Sequence, residues 1–173
     1  GGSLKVHANS SVAGAFTMAS GTTLTSDGAG SSFTTTGAAQ INNVNLYATA
    51  GGTLSLPGIT TFPQTTANVT WRAFGAGSVL SLPDLGSITA GRSMSIEAVS
   101  EGQVSLPKVE QVTVLGDANT TIRADGVNSQ IASSWIWTRW PQTGESPATP
   151  TSSSGSGMRP PIRPTLCTWT TCE

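Results

Sequence analysis

Charge is scarce in this chain: only 10% of its 173 residues are Asp, Glu, Lys or Arg, and the net charge is −1. So few cations release few counterions from a polyanion, which argues against nucleic acid as a partner. Histidine occurs once, as His7, so the supply of general bases is thin. Cysteine occurs twice, as Cys167 and Cys172, close to the C-terminal end. Two thiolates alone make a poor zinc site, and no metal or cofactor is expected. Closed as a disulfide, the same pair forms a small loop and argues for an oxidising compartment. No apolar run reaches the length of a membrane-spanning helix, so no membrane span is expected. No signal peptide precedes Gly1-Gly2-Ser3, which reads as an excised boundary. A glycine-rich phosphate loop, a GxSxG elbow and an HExxH helix are all missing.

What is present is repetition. Val44-Asn-Leu-Tyr-Ala48 leads through Gly51-Gly52 to Leu54-Ser-Leu-Pro57, then Ile59 and Phe62. Val69-Thr-Trp-Arg-Ala73 leads through Gly75 and Gly77 to Leu80-Ser-Leu-Pro83, then Leu85 and Ile88. Met94-Ser-Ile-Glu-Ala98 leads through Gly102 to Val104-Ser-Leu-Pro107, then Val109 and Val112. The prolines at 57, 83 and 107 set a period of 26 and then 24 residues. Self-similarity of that length signals a solenoid. Within each copy the apolar residues alternate, which is the period of a strand with one buried face. Proline ends the second strand because it has no N–H to give to a ladder. Each copy therefore reads as three short strands separated by corners. The predicted fold is all-β, a parallel β-helix of about six coils and ~30 Å in length at the usual strand spacing. A leucine-rich horseshoe has similar length and aliphatic content, but its buried Asn and helical back are not visible.

Leu4-Lys-Val-His-Ala8 and Leu24-Thr-Ser-Asp-Gly28 carry the pattern in weaker form, and Thr120-Thr-Ile-Arg-Ala124 opens a last copy. Phe16, Met18, Val12, Phe33 and Ile41 are expected on the other walls. Aligned on the strand pattern, His7, Asp27, Tyr47, Arg72, Glu97 and Arg123 form one outward column. Lys5, Thr25, Asn45, Thr70, Ser95 and Thr121 form its neighbour. As plain architecture, the first column is the polar outside of the rod, with Arg72, Glu97 and Arg123 as a salt-bridge ladder. As a site, it is a strip of hydrogen-bonding groups with Tyr47 as a stacking surface. Trp71 aligns with Leu46 and Ile96 and is expected in the core.

Beyond the repeats, Trp135, Trp137 and Trp140 crowd into six residues. They suit a cap over the open end of the solenoid, a role that can coexist with a platform for the C–H face of a pyranose ring. The domain division is then 1–140 for the capped β-helix, 141–165 for a Pro/Ser/Thr/Gly-rich linker and 166–173 for the short disulfide-closed tail. The carboxylates fall one to a coil, which does not give a pair at glycosidase spacing, so the chain is not expected to be an enzyme. Thr34-Thr-Thr36 and Thr60-Thr61 suggest an ice-binding array, but Gly86-Ser87 and Glu110-Gln111 break it.

The repeat with its glycine corner and LSLP segment resembles those of secreted bacterial parallel β-helix proteins, large surface adhesins among them. It also resembles the small β-helical carbohydrate-binding modules joined by linkers to plant-cell-wall hydrolases. The likeness covers residues 4 to 131. It implies a secreted or cell-surface, non-catalytic module of a larger chain, binding a polysaccharide such as xylan or a glucan through Tyr47, Arg72, Glu97, Arg123 and the three late tryptophans. The alternative it implies is a structural stalk or adhesin segment. A polysaccharide lyase or hydrolase is a more distant possibility.

Overall fold

The computed structural model describes residues 1–134 and 136–137. It is a parallel β-helix whose strands pair only with their counterparts one coil away. The first wall is six strands deep: β1 (Ser3–Val6), β4 (Thr23–Asp27), β7 (Asn45–Thr49), β10 (Val69–Phe74), β13 (Met94–Val99) and β16 (Thr120–Asp125). The second wall matches it, with β2 (Asn9–Val12), β5 (Ser32–Thr35), β8 (Thr53–Ser55), β11 (Val79–Ser81), β14 (Gln103–Leu106) and β17 (Gln130–Ser133). The third wall comes in two pieces. One joins β3 (Phe16–Met18) to β6 (Ala39–Ile41). The other joins β9 (Thr61–Gln64), β12 (Ser87–Ala90), β15 (Gln111–Val114) and β18 (Ile136–Trp137). Among the described residues no helix is long and apolar enough to cross a membrane.

The alternation in the sequence is the alternation of burial. Leu24, Leu46, Trp71 and Ile96 follow one another in register and are fully buried. Beside them run Ser26, Ala48, Ala73 and Ala98, also buried and all small, next to the corner that turns into the second wall. The LSLP segments put Leu54 and Leu56, Leu80 and Leu82, then Val104 and Leu106 into the core. Trp71 is the largest buried side chain. Its ring meets Phe62 of the third wall edge-on at 4.6 Å, and its Nε1 donates to the Val44 carbonyl at 3.2 Å, so the indole N–H is not left unpaired.

The corners between the first and second walls come in two kinds that alternate along the rod. Gly28-Ala-Gly-Ser31, Gly75-Ala-Gly-Ser78 and Gly126-Val-Asn-Ser129 are the longer kind. Ala50-Gly-Gly52 and Ser100-Glu-Gly102 are the shorter. In the longer corners Ser78 Oγ donates to Phe74 O at 2.6 Å, and Ser129 Oγ donates to Asp125 O at 2.7 Å. Each of these serines also accepts an N–H from the shorter corner one coil earlier, from Gly51 at 2.9 Å and from Glu101 at 3.1 Å. In the shorter corners the chain passes so close to its neighbour that a Cβ on Gly52 would lie 2.4 Å from Ser26 O. On Gly102 it would lie 2.1 Å from Ala73 O. The structural repeat is therefore a pair of coils, and the one-residue difference between corners contributes to the unequal spacing of the prolines. A third corner is fixed by Asn43, whose backbone is left-handed at φ 53 and whose Oδ1 accepts N–H bonds from Thr65, Thr66 and Ala67 in the next coil.

Candidate ligand-binding face

The outer side of the first wall carries three columns. Tyr47, Arg72, Glu97 and Arg123 lie in register, one on each of four successive strands, as the repeat alignment predicts. The two coils before them differ from that alignment. Thr25, not Asp27, pairs with Tyr47, and Lys5 pairs with Thr25. Asp27 belongs one column over, with Thr49, Phe74, Val99 and Asp125. His7 follows β1 and is not in the Tyr47 column. The physical reason is parity. A slip of two residues keeps every apolar side chain pointing inward, so alternation cannot detect it. The corner settles it: Gly28-Ala-Gly-Ser31 and Gly75-Ala-Gly-Ser78 turn alike, so Asp27 and Phe74 occupy equivalent places before them.

At the centre of this face is a shallow depression of about 150 Å³ lined by Tyr47, Thr49, Arg72 and Phe74. The four form a square, Tyr47 beside Arg72 and Thr49 beside Phe74 across the two strands, with the aromatics at opposite corners. Phe74 is exposed, and the Arg72 guanidinium carbon stands 5.1 Å from its ring centroid. Thr49 Oγ1 donates to Asp27 Oδ1 at 2.5 Å, which leaves its oxygen free to accept. The arrangement offers an apolar plate, a hydroxyl and a guanidinium within one recess. Phe74 and Thr49 lie just outside the five-residue motif that repeats between coils. The signal was available, because alternation carried two residues past Arg72 puts an aromatic on the outside.

Charges on the face are matched in pairs. Lys5 Nζ lies 2.8 Å from Asp27 Oδ2, and His7 Nδ1 is 3.6 Å from the same oxygen and 3.2 Å from Asp27 O. The hydrogen bond from Lys5, then that from Thr49, holds the Asp27 carboxyl below its ordinary pKa. Arg72 Nε lies 3.5 Å from Glu97 Oε2. The expected ladder from Arg72 through Glu97 to Arg123 is interrupted there: Arg123 pairs with Asp125, two residues along its own strand and on the same side. Among the described residues no three His, Cys, Asp or Glu side chains gather as a metal site.

The remaining candidates lie elsewhere. Trp137 is on β18, where its backbone pairs with Val112 on the third wall, away from the Tyr47 column. Trp135 and Trp140 lie outside the described residues, as do the 141–165 linker and Cys167 and Cys172 with the tail they would close. Compared with protein-family models, curated proteins and solved structures, the chain matches none.

Proposed function

We propose that this chain is a non-catalytic carbohydrate-binding module that holds a plant-cell-wall polysaccharide, xylan or glucan-like, along the outer face of its first wall. The observation that carries the reading is the recess between Tyr47, Thr49, Arg72 and Phe74. A pyranose ring has an apolar C–H face and a rim of hydroxyls. An aromatic plate beside donors and acceptors on neighbouring strands complements both. Successive coils spaced by ~4.8 Å give a polymer further contacts at Glu97 and Arg123. The linker composition and the two cysteines support a secreted or cell-surface module attached to another domain.

Affinity electrophoresis against soluble xylans, glucans and mannans tests this. The expected outcome is retardation by one of them, weakened by about three- to tenfold in Tyr47→Ala and in Phe74→Ala. Ser81→Ala, on the outer side of the second wall, is expected to bind like the wild type. Retardation lost equally in all three variants would remove the recess from the account. No retardation at all would leave the face as the solvated outside of a stalk or adhesin segment.

A further inference from the structure

We propose that Glu97 sets the charge class of the ligand, admitting neutral sugar chains and turning away those that bear uronates; this rests on the polysaccharide-binding reading above. Among the described residues Arg72 is the one cation that lines the recess. A guanidinium facing a ligand captures carboxylates in a fork geometry, so left open it would favour an acidic polymer. Its charge is not left uncompensated. Glu97 stands in register one coil on, with Oε2 3.5 Å from Arg72 Nε, and its side chain is the less exposed of the two, 21% against 39%. Glu97 does not line the recess and meets Arg72 from the next strand, on the side away from Tyr47.

The other flank is closed in the same way. Asp27, the register partner of Thr49 one coil earlier, accepts from Thr49 and pairs with Lys5. Arg123, the next cation along the column, is matched to Asp125. A carboxylate therefore stands on each side of the recess. An incoming uronate would meet an ion-paired carboxylate on each flank and a guanidinium whose charge Glu97 already offsets. A neutral sugar meets acceptors for its hydroxyls.

The test uses the full chain and two polymer pairs: neutral arabinoxylan against glucuronoxylan, and mixed-linkage β-glucan against the same glucan oxidised at C6 to carry carboxylates. The wild type is expected to be retarded at least about threefold more by the neutral member at low salt. Glu97→Gln, nearly isosteric, should raise affinity for the acidic member relative to the neutral one by about three- to tenfold. At about 0.5 M salt that gain should shrink towards nothing. Asp27→Asn should move the preference in the same direction from the other flank, and covers the case in which Glu97→Gln fails to fold. Equal affinity of the wild type for both members, or an unchanged ratio in both variants, overturns the role given to the carboxylates. No retardation by any polymer overturns the binding reading itself.

Discussion

The first and second walls are built on the same interior and differ almost completely outside. Both are six parallel strands with aliphatic residues facing in. On the second wall the outward column runs Ser11, Thr34, Ser55, Ser81, Ser105 and Ala132, and its neighbour runs Asn9, Ser32, Thr53, Val79, Gln103 and Gln130. None of these is charged or aromatic. On the first wall two of the three outward columns, beside Thr25, Thr49 and Val99, hold Lys5, Asp27, Tyr47, Arg72, Phe74, Glu97, Arg123 and Asp125. A rod that needed only a solvated exterior has one in the second wall. The concentration of charge and aromatic surface on the first, in a chain poor in both, is therefore not a requirement of the fold. The core constrains half the residues of every strand, and what the other half contains is free to record what a face touches.

The comparison assumes that the two walls share one core, and Trp71 tests that most severely. Trp71→Ala empties the centre of the rod between the first wall and Phe62 of the third. The expected cost is about 3–5 kcal/mol. Hydrogen exchange should then quicken in β10 and β11 together. Faster exchange in β10 with β11 still protected would show that the walls are separate units. The link between them is the next target. Ser78→Ala removes the acceptor of the Gly51 N–H and the donor to Phe74 O at the corner where the walls meet. The expected loss is about 1–2 kcal/mol in a denaturant melt. Ser81→Ala, three residues further on and facing outward, should stay within about 0.5 kcal/mol. If the two serines cost the same, the corner bonds do not join the coils as described.

How far the sequence could be read follows from the same division. Inward positions obey alternation, so three strands per coil, the core place of Trp71 and the register of Tyr47 with Arg72, Glu97 and Arg123 were all legible. The column of Asp27 is not legible, because its neighbours satisfy the inward pattern in either of two registers. Phe74 stands just beyond the Val69–Ala73 motif that repeats between coils, so the repeat does not mark it. The alternation of corner types was hidden for a different reason. It depends on which serine bridges to which coil, and on the closeness of Gly52 to Ser26 and of Gly102 to Ala73. Those are contacts between residues more than twenty positions apart, and no local pattern encodes them. The split of the Arg72, Glu97, Arg123 ladder is likewise a choice between two nearby carboxylates of the same sign.

The smallest effect expected is on pH, and it separates the walls by chemistry. Asp27 has its carboxyl held below the ordinary 3.8, first by the hydrogen bond from Lys5 and then by that from Thr49. A carboxyl whose folded pKa is depressed adds stability that is present above its ordinary pKa and lost as the pH falls through the folded value. Contacts of β1 and β7 with Asp27 should therefore loosen only in acid below 3.8, seen as shifts of the Lys5, His7 and Thr49 amides in an NMR titration. The strand positions of β2 and β5 on the second wall carry no carboxylate, so their amides should stay still over the same range. Asp84, depressed chiefly by Lys108 at 2.7 Å, titrates at a corner between walls and marks how a pair outside both faces behaves. Lys5→Ala should move the Asp27 midpoint up towards its ordinary value, because the largest cause of the depression is gone. An unmoved midpoint would mean that Lys5 is a solvated surface charge, and that the pairing of charges on the first wall does not begin at its first strand.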